Sequence, residues 1–159
     1  MISSEAQHHL TAAQGYAELG MYLDANEELE NIAAEERHRN EVLILRVQIY
    51  HSLKKWDLMQ VVAKRLTLEQ PDNPQWSLSW AEATRQADSL DGARLILLEA
   101  VERHSAVASV HYNLACYECL LGDLEVAKAR LQHAFKLDPS LRLSALEDED
   151  LRALWNSLS

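Results

Sequence analysis

Residues that make turns are scarce in this sequence: four glycines and three prolines in 159 residues. A β-sandwich or barrel of that length consumes many turns, so the shortage excludes those folds and points to long helices with short joints. Positive charge is also in deficit. Fifteen Lys and Arg stand against 25 Asp and Glu, a formal net charge of −10, which removes phosphate backbones and anionic lipid surfaces as partners; neither nucleic acid nor a membrane is expected. No apolar run approaches the roughly eighteen residues needed to cross a bilayer. Met1 to Leu10 has neither the basic start nor the apolar stretch of a secretory signal. The only cysteines, Cys116 and Cys119, lie one helical turn apart and cannot staple a disulfide framework, so a reducing, cytoplasmic setting is expected. No Gly-rich phosphate loop and no HExxH pair occurs, and the chain is not expected to be an enzyme or to carry a cofactor.

What is present is a period. At 48% hydrophobic and 25% charged, the chain has the composition of one globular domain. From Ala6 it divides without insertion into four windows of 34 residues: 6–39, 40–73, 74–107 and 108–141. Position 8 of the windows reads Ala13, Val47, Ala81 and Ala115; position 20 reads Ala25, Met59, Ala93 and Ala127. Position 24 reads Leu29, Ala63, Leu97 and Leu131; position 27 reads Ile32, Leu66, Ala100 and Ala134. All sixteen are apolar, where composition alone places about eight. Turn residues fall at fixed points: Gly20 and Gly122 at position 15, Pro71 and Pro139 at position 32, and Asn73 before Pro74 as a cap followed by proline at the first helical position.

The fourth window, with Tyr112, Asn113, Leu114, Ala115, Gly122, Asp123, Ala127, Ala134, Asp138 and Pro139, resembles a tetratricopeptide repeat. The resemblance implies an all-α fold, a right-handed superhelical α-solenoid of four helix-turn-helix repeats. Each pair is amphipathic and buries its stripe only by stacking on its neighbours. Residues 142 onward break the period, and Leu146, Leu151, Leu154, Trp155 and Leu158 suggest a single capping helix at about 143–158, with Glu147 to Asp150 near its positive end.

The resemblance also implies where a partner lies, along a concave groove lined by first helices. Positions 5, 9 and 12 share a helix face distinct from the core face. The candidate groove residues are Leu10, Gln14, Ile44, Gln48, His51, Leu78, Glu82, Arg85, Tyr112, Asn113 and Cys116. Over the whole groove face only Glu18, Glu41, Glu82 and Arg85 are charged, because acidity concentrates elsewhere: the first window holds seven acidic and two basic residues. An apolar wall flanked by neutral polar groups suits an extended or helical peptide with hydrophobic anchors. Packing of position 5 on a neighbouring first helix or on the protein's own tail is the competing reading. Some members of the family hold acidic chaperone termini through a clamp of cations. Here Leu10, Gln14, Leu45, Gln75 and Ser79 stand at those positions, and a carboxylate would find no charged donor.

The expected function is a non-catalytic protein-binding module or adaptor whose partner is a protein or peptide. A second reading is a small acidic chaperone similar to those of bacterial type III secretion, which match in size and low pI. They carry three repeats behind a helical segment, whereas the first window here fits the period as well as the second. A third reading uses Cys116 and Cys119 as a metal or redox pair, with His51 or His111 nearby, although no second ligand pair accompanies them. Self-association is the remaining option, through a patch containing Leu10, Ile44 or Trp76. Trp76, at a repeat edge, is expected to be exposed, and Trp56, Trp80 and Trp155 to be core.

Overall fold

The computed structural model describes residues 1–158. Eight long helices run in antiparallel succession: α1 (Ser4–Glu18), α2 (Tyr22–Glu30), α3 (Asn40–Ser52), α4 (Trp56–Glu69), α5 (Pro74–Ala87), α6 (Leu90–Arg103), α7 (Ala108–Leu120) and α8 (Leu124–Leu137). No strand occurs among the described residues. Each helix packs on the next in sequence, α1 also touches α3, and α5 also touches α7. The fold is an α-solenoid in which first helices form one layer and second helices the other.

The sixteen apolar positions explain this packing, for every one of them is buried. Nine of the sixteen are Ala, and small side chains at the crossing let two helix backbones approach before Leu and Ile fill the layer between pairs. The core falls into two clusters that meet at α5. One comprises α1 to α4 with Trp76 and Ala83; the other comprises Ala81, α6 to α8 and the chain's end.

The joints follow from backbone chemistry. Gly20 (φ +75°) and Gly122 (φ +91°) occupy the left-handed region in the turns α1–α2 and α7–α8, where glycine is free of the Cβ penalty. Lys54, at the same position, is also left-handed (φ +56°) and bears that penalty. At the α5–α6 joint the chain instead stays at negative φ, and Ser89 caps α6 by accepting the Gly92 amide at 3.0 Å.

Helix stops differ more. Pro71 and Pro139 follow α4 and α8. In the first repeat Arg37 stands in proline's place, and its guanidinium donates to the carbonyls of Ile32 (2.6 Å) and Glu30 (2.5 Å). The second helix is correspondingly short, succeeded by a 3₁₀ turn at Ala34–Glu36 whose Glu36 accepts both the Ser3 amide and hydroxyl at 2.6 Å. Two buried imidazoles, His104 of the third repeat and His111 of the fourth, tie the third repeat's two joints. His104 Nε2 donates to the Pro71 carbonyl (3.1 Å) and His111 Nε2 to that of Ser105 (2.7 Å), since a carbonyl can only accept.

The single capping helix expected at about 143–158 is replaced by three short pieces: α9 (Leu141–Ala145), a 3₁₀ helix (Glu149–Leu154) and a final turn, α10 (Trp155–Leu158). Asp148 is the reason. Its side chain accepts the Asp150 amide at 3.1 Å and so starts a new helix in the middle of the segment. Trp155 Nε1 then donates to the carbonyls of Ala145 and Asp148, folding the pieces into a compact hook. Ala145, Leu151, Leu154 and Leu158 are buried in the second cluster. No helix among the described residues is long and apolar enough to cross a membrane.

Candidate partner-binding groove

Helix periodicity places positions 5, 9 and 12 of α1, α3, α5 and α7 on one face, yet the eleven candidate residues divide into two environments. Those of α3 stand around an open cleft. Ile44 is 40% exposed, and with Gln48 and His51 it faces Gln75, Trp76 and Ser79 of α5 across about 430 Å³, with Tyr22 and Met59 completing the wall. A smaller depression beside it, about 220 Å³, brings in Gln14, Glu18 and Glu41.

Of the residues of α5 and α7, Arg85, Tyr112 and Cys116 meet the hook. Arg85 donates twice to Asp150, at 2.7 and 2.9 Å, a bidentate pair in which each side chain is about a quarter exposed (26% and 27%). The Tyr112 hydroxyl donates to Asp148 at 2.8 Å, and the Cys116 thiol faces the same carboxylate at 3.7 Å. Leu78 and Tyr112 pack against the second core. Asn113 turns its amide to the Ser109 carbonyl of its own helix (2.8 Å), and Glu82 accepts from Gln86 (3.2 Å). At Arg85, Tyr112 and Cys116 the groove face is thus occupied by the protein's own chain.

Three expectations change here. Leu10 is 2% exposed and belongs to the first core, so it offers no groove contact. Trp76 is buried at 8%, with Nε1 donating to Gln70 at 3.1 Å, while Trp56, Trp80 and Trp155 are half-buried. The self-association patch of Leu10, Ile44 and Trp76 therefore retains only Ile44 as an exposed member. Leu10 follows helix α1 onto its buried stripe because α3 packs directly on it; Trp76 is drawn inward because its indole N–H finds a partner at the end of α4.

Cys116 and Cys119 are both free and buried. Burial pushes the Cys116 thiol well above the ordinary 9.0, and the Asp148 and Asp150 carboxylates push it further. Cys119 is raised for the same first reason. Burial and the bond to Asp148 likewise raise Tyr112. Ligand atoms of Cys116, Asp148 and Asp150 lie within 4.8 Å of one another, but the carboxylates are engaged by Arg85 and Tyr112, and burial disfavours the free thiolate that redox attack needs. The hook residues Asp148 and Asp150 are not among the sequence candidates. The only sequence signal for them is the acidic run Glu147 to Asp150, which at a helix start has an ordinary explanation.

Stacked helix pairs with small residues at the crossings and an open first-helix face define the class: an α-solenoid of tetratricopeptide-repeat type. Solved structures agree. TTC0263, a thermophilic TPR protein of Thermus thermophilus, superposes with a TM-score of 0.67 at 23% identity over 97% of this chain and 83% of that one. MamA of Desulfovibrio magneticus RS-1 gives 0.75 at 18% identity over 96% and 90%, and MamA of AMB-1 gives 0.71 at 17% over 96% and 82%. No protein-family model matches the sequence, and no curated protein matches it.

Proposed function

We propose that the chain is a non-catalytic protein-binding module that takes a peptide or helical segment of a partner in the cleft between α3 and α5. The observation that carries this reading is the open, mixed wall itself. Ile44 presents apolar surface, and Gln48, His51, Gln75 and Ser79 surround it with neutral donors and acceptors. A peptide can bury an apolar anchor there while its backbone groups find partners. The wall is built on two long helices that both pack into the first core, so little ordering accompanies binding and more of the contact energy survives as affinity. The thiols of α7, buried and disfavoured as free thiolates, support the non-catalytic part of the reading.

Selection of displayed peptides against the folded chain, followed by amide shift mapping by NMR, tests it. Selected peptides should perturb Ile44, Gln48, Gln75 and Ser79, and Ile44→Glu should weaken them at least tenfold. Perturbations confined to α2, α4, α6 and α8, with Ile44→Glu neutral, would place binding on the opposite layer and overturn the reading.

A further inference from the structure

The covered part of the groove holds an occupant whose chemistry can be read. Asp148 and Asp150, two residues apart, meet Tyr112 and Cys116 on α7 and Arg85 on α5, and Leu151 and Leu154 follow into the second core. Arg85 is the only Lys or Arg among the groove positions, and it is spent on this contact. We propose that the hook is a built-in ligand, and that the α5–α7 surface receives from a partner protein a segment of the same pattern, two carboxylates separated by one residue and followed by leucine, which displaces residues 146–154. This rests on the reading that the first-helix face is where partners bind, and it adds both a partner chemistry and a closed state.

A tethered segment competes at an effective concentration on the order of millimolar. A partner that reproduced only the hook would therefore bind weakly. The cleft between α3 and α5 supplies the difference. Asp150 already reaches α5, on which the groove residues Gln75 and Ser79 line the open cleft. A longer partner segment continuing past the Arg85 contact toward α3 gains Ile44, Gln48 and His51, contacts that the hook leaves unused. The pieces of the hook are short, and the Arg85–Asp150 pair stays partly exposed to water.

The test uses the full chain and a fluorescein-labelled peptide of residues 143–158, read by anisotropy. The full-chain variant Asp148→Asn/Asp150→Asn, with its hook weakened, should bind the natural peptide at least tenfold tighter than the natural chain does. Adding Arg85→Gln should remove that gain, and a peptide carrying the same two Asn should show no saturable binding. Ile44→Glu should leave this peptide's binding unchanged, which separates failure here from failure of the cleft reading. A folded double variant that binds no tighter, or that binds both peptides alike, overturns the proposal. So does a double variant that loses its helicity, because the hook would then be an indispensable part of the core. In the natural chain, amides of 146–154 should exchange at least tenfold faster than those of α7; equal protection overturns it as well.

Discussion

At the residue scale, one strained backbone and one thiol whose ionisation the fold opposes each yield a measurement. Lys54 carries a left-handed backbone at the turn position where two other repeats have glycine. The Cβ–carbonyl crowding of that conformation costs about 1–2 kcal/mol, of which glycine's extra freedom in the unfolded chain returns about half. Lys54→Gly should therefore stabilise the protein by about 0.5–1 kcal/mol, seen as a higher denaturation midpoint, and Gly122→Ala should lower it by about 1 kcal/mol. Cys116 is the second case. Its thiol resists ionisation in the fold but ionises near the ordinary 9.0 when the chain unfolds. Above that pH the unfolded state has lost a proton that the native state keeps, so this contribution to stability is full below about pH 9 and declines as pH rises. Urea midpoints should fall from pH 9 upward, and Cys116→Ser, which can still donate to Asp148 but does not ionise, should flatten the fall. An unchanged slope would show that the thiol is not what titrates.

At the scale of elements, α7 and α8 are joined by a charge pair of unequal exposure. Glu118 is 2% exposed and accepts from Arg130 Nε at 2.8 Å through both oxygens, while Arg130 is 24% exposed. Removing the cation strands a carboxylate in the core; removing the carboxylate leaves a guanidinium that can turn to water. Arg130→Met should thus cost about 3–5 kcal/mol, and Glu118→Gln only about 1–2 kcal/mol. Equal losses in denaturant titrations would show that the pair is as well solvated on one side as on the other. This pair and the Arg85–Asp150 pair also mark where the sequence was legible. The sixteen small or apolar positions recur at a fixed spacing, so local periodicity exposes them, and the turns at Gly20 and Gly122 follow from the same count. Arg85 and Asp150 are 65 residues apart and Asp150 lies outside the repeats, so no spacing rule links them. The apolar stripe of the tail was visible from Leu151, Leu154 and Leu158. That it would bend at Asp148 and close over α7 depends on a side-chain-to-backbone bond and on partners contributed by two other helices.

At the scale of the molecule, the division of the core at α5 has a consequence for how the chain opens. In a solenoid each repeat touches only its neighbours, so stability is a sum of local terms joined by interfaces, and a local loss need not spread. Met59 lies in the first cluster and Leu114 in the second, both with almost no exposure. Trimming either to Ala removes buried methylenes and should cost about 2–5 kcal/mol locally. The resulting loss of amide protection should differ in place. Met59→Ala should speed hydrogen exchange in α1 to α4 and leave α7 and α8 protected. Leu114→Ala should speed it in α6 to α8 and in the hook, with α1 to α3 unchanged. Helix α5, which contributes Trp76 and Ala83 to one cluster and Ala81 to the other, should respond to both. A uniform rise across all helices from either substitution would show a single cooperative unit. The local outcome has a functional corollary. If the second half opens by itself, the hook can leave α7 while α1 to α4 keep the wall around Ile44 intact, and the cleft then stands ready as its continuation is uncovered.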